Sequence, residues 1–150
     1  MIRTGCALLL GATAFFVAGV GMLAWEDEYR TGIEEIDAEH VTLLALLNQL
    51  GAHIATSRTG EGLEDVLNAL ATSLDWHFAH EETLMRSWSY PGLEEHAARH
   101  REFETGFSRL RGGNPGVAAV TLREFVLAWL LDHMAADAAY AAFVTGRRKG

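Results

Sequence analysis

Seven side chains in this sequence combine a spacing and a chemistry that suit metal binding. His77 and Glu81, His96 and His100, and His133 and Asp137 are each four residues apart. An α-helix turns about 100° per residue, so positions four apart lie within about 40° of one face. Each pair therefore projects from one side of its helix. His40 has no such partner, but Ile36, Leu43, Leu44 and Leu47 surround it at helical spacing and put it on a buried face. A single histidine on an apolar face is ordinarily a core residue with one hydrogen bond. Five imidazoles and two carboxylates spread over four helices, without balancing Lys or Arg nearby on their faces, are not explained that way. Burying them together is costly unless a cation pairs them. Seven donors exceed one octahedral shell, so two ions bridged by carboxylates are expected. Imidazole-rich ligation with carboxylates suits iron; zinc, copper and nickel accept the same ligand types.

The other histidines and glutamates in this region read differently. His53 lies 13 residues after His40, about 140° around the same helix. His80 follows His77 by three residues and is expected to point away from the line that joins His77 and Glu81 to the centre. Both are expected at the rim. Glu82, Glu94 and Glu95 read as solvated helix charges, the last two in a first turn where the helix dipole favours them.

Four helical segments must carry these residues. Apolar periodicity and breakers place them at about 36–57, 62–88, 92–111 and 117–145, separated by "SRTG", "SYPG" and "GGNPG". Short loops make successive helices antiparallel, so the expected fold is all-α, an up-down-up-down four-helix bundle. The chain's 150 residues suffice for one such core. A formal charge of -8, with no basic stripe, argues against a nucleic-acid partner. The lone cysteine, Cys6, can form neither an internal disulfide nor a thiolate zinc site with a second cysteine.

Residues 1–24 are expected to be a separate apolar segment ahead of a domain at 25–150. Between Arg3 and Glu26 no residue is charged, and about 20 apolar residues suffice to span a bilayer. The run reads either as a membrane anchor, with residues 4–25 in contact with lipid, or as a signal peptide. A third reading starts the protein at Met22. The first two place the domain on a membrane or outside the cytoplasm, and the third places it in the cytoplasm.

From Trp25 to Phe143 the sequence resembles the hemerythrins, specifically the single-domain bacteriohemerythrins. "GIEEIDAEHVTLLALLNQL", "HFAHEETLM", "YPGLEEHAARHREF" and "WLLDHMAADAAY" are similar to that family's ligand segments, in the same order. The resemblance implies a non-heme di-iron centre with an oxo or hydroxo bridge. His96, His100 and His133 would hold one iron, His40 and His77 the other, and Glu81 and Asp137 would bridge the two. It also implies that O2 binds at the iron with an open position, in a pocket lined by Phe78, Phe103, Trp129 and Leu130. The family usually sets its last His and Asp five residues apart, whereas His133 and Asp137 are four apart. The shorter spacing needs no helix distortion.

The expected function is reversible O2 binding for storage, delivery or sensing, without turnover. The alternative is a di-iron oxidase, peroxidase or NO-handling enzyme. Oxidising di-iron bundles carry Glu-x-x-His pairs on two helices, and this sequence contains no Glu-x-x-His.

Overall fold

The computed structural model describes residues 21–56, 62–113 and 115–148, with the side chains at 115–117 and 148 outside that description. Its elements are a 3-10 turn, Asp27–Tyr29, and four helices: α1 (Glu34–Ala55), α2 (Leu63–Ser87), α3 (Leu93–Arg111) and α4 (Pro115–Arg148). Each helix packs on its neighbours in sequence, and α4 closes the ring against α1. The pairing is antiparallel throughout. Glu39, early in α1, meets His77, late in α2. Glu64 at the start of α2 meets Arg111 at the end of α3. His96, early in α3, meets Asp137, late in α4. Arg123, early in α4, meets Leu47, late in α1. This is the up-down-up-down bundle that the short loops predict.

The helix ends have local causes. Ser89 holds a left-handed φ of 52° just past α2. The Tyr90 N–H donates to the Met85 carbonyl at 2.9 Å and the Ser89 N–H to the Arg86 carbonyl at 3.1 Å. These two bonds form a Schellman close, with serine where glycine is usual. α4 starts at Pro115, two residues before the expected position, because proline suits a first helical turn whose N–H has no partner anyway. At the other end of the bundle, the Asp37 carboxylate accepts the Thr31 N–H at 2.7 Å and the Gly32 N–H at 3.2 Å. That clamp fixes the entry of α1 less than one turn before His40.

The residues ahead of α1 are tied to the bundle. The Asn48 side-chain amide exchanges two hydrogen bonds with the Leu23 backbone, at 2.7 and 2.8 Å. The buried Arg123 guanidinium donates to the carbonyls of Gly21 and Leu47 at 2.9 and 3.2 Å. The apolar run before residue 21 lies outside the described residues. Among the described residues, no helix is long and apolar enough to cross a membrane.

Two apolar layers fill the interior. The larger includes Leu43, Leu47, Leu70, Leu74, Phe78, Phe103, Leu122 and Leu130. The smaller includes Ile33, Ile36, Met85, Tyr140 and Val144. On α1, α2 and α4 the chain passes from one layer to the other through a polar interval: His40, Glu81 and Asp137 respectively. The site is therefore a polar layer sealed between two apolar ones.

Candidate metal centre

All seven expected residues meet in that layer, and each is at most 5% exposed. α1 supplies His40, α2 His77 and Glu81, α3 His96 and His100, and α4 His133 and Asp137. The Glu81 Oε2 atom sits among four imidazoles: 2.9 Å from His96 Nε2, 3.1 Å from His133 Nε2, 3.2 Å from His100 Nε2 and 3.7 Å from His77 Nε2. The Asp137 carboxylate lies 3.2 Å from His40 Nε2, 3.3 Å from His133 Nε2 and 3.6 Å from His96 Nε2. α4 is continuous helix through this region, so the four-residue spacing of His133 and Asp137 puts both on one face without a bulge.

The donor atoms fall into two overlapping groups able to hold a metal ion. One is His40, His77, His133 and Asp137; the other is Glu81, His96, His100 and His133. His133 belongs to both. The two carboxylates also reach across, Glu81 toward His77 and Asp137 toward His96.

The cluster fits cations better than it fits a hydrogen-bonded core. His40 Nδ1 and Nε2, Glu81 Oε1, His100 Nε2 and both Asp137 oxygens are buried without a hydrogen-bond partner. His77 Nε2 and His133 Nε2 point at each other across 3.0 Å. A buried polar atom left unpaired costs about 1–3 kcal/mol. Six of them together approach the whole stability of a small domain, roughly 5–15 kcal/mol. Ligation through Nε2 would leave only His40 Nδ1 unpaired, and structural zinc in zinc-finger peptides returns about 10–16 kcal/mol.

Electrostatics without a metal show the same tension. Burial lowers the His40 pKa to about 3, with added repulsion from His77 and His133. Burial lowers His133 to about 4, against the opposing attraction of Glu81. Burial alone would raise Glu81, but the close imidazoles of His100, His133 and His96 outweigh it and hold the carboxyl well below its usual range. Asp137 is pushed well above its usual range, by burial and then by the neighbouring charge of Glu81. Without a cation, burial and mutual repulsion thus favour one charged carboxylate, Glu81, over two.

A pH prediction follows. In the unfolded chain these histidines titrate near 6.5. Below that pH the unfolded state gains two protons that the folded state refuses, while Asp137 gives up one on unfolding. The net sign is a loss of stability on acidification. The melting temperature of the metal-free chain should fall between about pH 6.5 and 4, as a series of thermal melts would show. A flat profile would contradict the burial of neutral His40 and His133.

Aromatic rings wall the side of the cluster formed by His100 and His133, the histidine that both groups share. Phe78 stacks on His100 with centroids 4.1 Å apart, and Trp129 stacks on His133 at 4.2 Å. Phe103 packs behind them, 4.3 Å from Trp129 and 5.7 Å from Phe78. Leu130 is fully buried in the same apolar layer.

Two acidic residues take part that the sequence did not single out correctly. Glu82, expected as a solvated charge, accepts the His100 Nδ1–H at 2.9 Å, because it sits about 100° around α2 from Glu81 and faces α3. Glu39, beside His40 in sequence, accepts the His77 Nδ1–H at 2.8 Å. His80 is at the rim as expected, yet it donates to the other Glu39 oxygen at 2.5 Å. His53 is half-buried and Glu94 and Glu95 are exposed. A carboxylate next to a buried ligand candidate marks Glu39 and Glu82, but it marks the exposed Glu95 and Asp132 equally, so sequence alone does not separate them.

Comparison with known proteins agrees with this geometry. Residues 31–138 match the family model described as the hemerythrin HHE cation binding domain. The chain is 32% identical over 121 residues to a bacteriohemerythrin of Stenotrophomonas maltophilia (strain R551-3), covering 79% of this chain and 78% of that protein. It is 28% identical over 120 residues to a bacteriohemerythrin of Pseudomonas aeruginosa (strain LESB58), covering 77% and 76%. It is 27% identical over 110 residues to a myohemerythrin of Theromyzon tessulatum, covering 73% and 82%. With its matched span enclosing all seven residues of the buried cluster, the chain belongs to the hemerythrin family.

Proposed function

We propose that the buried cluster holds two iron ions and that the protein binds O2 reversibly, without turnover. The observation that carries this reading is the overlap of the two donor groups: one imidazole belongs to both, and both carboxylates lie between them. His96, His100 and His133 would hold one ion, His40 and His77 the other, with Glu81 and Asp137 spanning the pair. His40 and His77 would thus give the second ion fewer imidazoles than the first, leaving room for O2. Bound iron supplies the redox-active centre to which O2 adds. The chain's own residues orient the donors, shield them and keep water out. Its similarity to bacteriohemerythrins and a myohemerythrin supports the same reading.

The test is an absorption spectrum of the anaerobically iron-loaded chain. A visible band should appear with O2, vanish when O2 is removed, and return over repeated cycles. Steady consumption of a reductant and O2 would replace this reading with the oxidase or peroxidase alternative.

Phe78, Phe103, Trp129 and Leu130 are proposed as the pocket wall. Leu130 lies one turn before His133 and is fully buried. Leu130→Ala removes volume that the surroundings refill only partly, leaving room for water beside the site. The oxygenated form should decay faster, by roughly tenfold if water entry lowers the barrier by about 1.4 kcal/mol. Following the decay of the visible band checks this; an unchanged rate would take Leu130 out of the pocket.

A further inference from the structure

Glu39 and Glu82 form a repeated arrangement around the bundle. Each comes from one helix and holds an imidazole on the next: Glu39 of α1 holds His77 of α2, and Glu82 of α2 holds His100 of α3. An ionised carboxylate only accepts hydrogen bonds. Each therefore favours the tautomer with the proton on Nδ1. The other nitrogen, Nε2, then carries its lone pair inward, where His77 Nε2 and His100 Nε2 face Glu81 at 3.7 and 3.2 Å. The opposite tautomer would aim an N–H at the cation. Both glutamates are only partly buried, with side chains 17% and 26% exposed, so each keeps access to water while its imidazole is sealed. Glu39 has an extra restraint. His80 takes its second oxygen, which leaves the carboxylate a single orientation against His77.

We propose that Glu39 and Glu82 are positioning residues, presetting His77 and His100 to bind metal through Nε2, and that His80 locks Glu39 in place. This rests on the reading of His77 and His100 as ligands. The two contacts also divide by site. Glu39 serves the group containing His40, His77, His133 and Asp137, and Glu82 serves the group containing Glu81, His96, His100 and His133. Loss of either should weaken one ion and spare the other.

The experiment loads the full chain with Zn2+, which is redox-inert and separates the test from O2 chemistry. Two zinc affinities are measured by competition with a chelator, and the tautomer of each histidine by 15N NMR of the metal-free chain. Outer-shell partners of metal-bound histidines are typically worth about 10–100-fold in affinity. Glu39→Ala should weaken one zinc by that factor and leave His77 without a fixed Nδ1–H signature. Glu82→Ala should do the same to the other zinc and to His100. Glu39→Gln keeps an acceptor oxygen for His77 and should restore most of the affinity, and His80→Ala should give a smaller loss at the same ion as Glu39→Ala. Zinc affinities and His77 and His100 signatures unchanged by both alanine variants would overturn the proposal, as would a Gln variant no better than Ala. Failure of the wild-type chain to take up zinc would instead refute the metal-centre reading, and the tautomer comparison on the metal-free chain would still decide the positioning role.

Discussion

Glu81→Ala is expected to abolish stable binding of a second metal ion, the largest loss from any single position. One oxygen of this residue approaches four imidazoles on three helices, at 2.9 to 3.7 Å. Without it, two cations in a sealed layer share only Asp137 as a charged buried ligand. Removing one partner from a buried ion pair costs about 3–5 kcal/mol, which is roughly 10²–10⁴-fold in affinity at about 1.4 kcal/mol per decade. Metal analysis of the purified variant should give one ion per chain or fewer. Two ions retained at wild-type affinity would show that Glu81 does not lie between them.

Asp137→Asn should separate metal binding from folding. Both Asp137 oxygens are buried without hydrogen-bond partners, and burial beside charged Glu81 pushes its pKa well up. In the metal-free chain this carboxyl is a liability, so the neutral, isosteric asparagine should melt at the same temperature or higher. With metal the sign reverses. Truncating one member of a desolvated charge pair costs about 2–5 kcal/mol, so ion affinity should drop by roughly 30-fold or more. Asp132→Asn is the control: Asp132 is adjacent to His133 but exposed, about 100° around α4. It should change neither property. Thermal melts with and without metal read both effects, and equal metal loss in the two variants would place the bridging carboxylate elsewhere.

The seven buried residues were legible because helix geometry is local. A four-residue spacing on an amphipathic segment fixes a shared face whatever the rest of the fold does, and the unbroken α4 makes this hold for His133 and Asp137 as well. The order of the helices followed from loop length. Contacts between helices were not legible in the same way. Glu82 read as solvated because its own helix gives no register against α3, and the choice between water and His100 depends on that register. Glu39 is hidden for the same reason. The sharing of His133 by both groups depends on how four axes converge, which no single helix encodes. α4 starts ahead of its apolar periodicity because Pro115, though it lies in a run of helix breakers, can equally open a helix. The anchoring of residues 21 and 23 by Arg123 and Asn48 depends on contacts between segments far apart in sequence.

If two irons share this layer, the iron content per chain reads it without intermediary. The full chain is loaded with ferrous ion under anaerobic conditions, freed of excess metal, and analysed for iron and protein. Two irons per chain are expected, falling to one or fewer in Glu81→Ala. A wild-type chain that holds a single ion, or that takes one zinc and rejects iron, would contradict it.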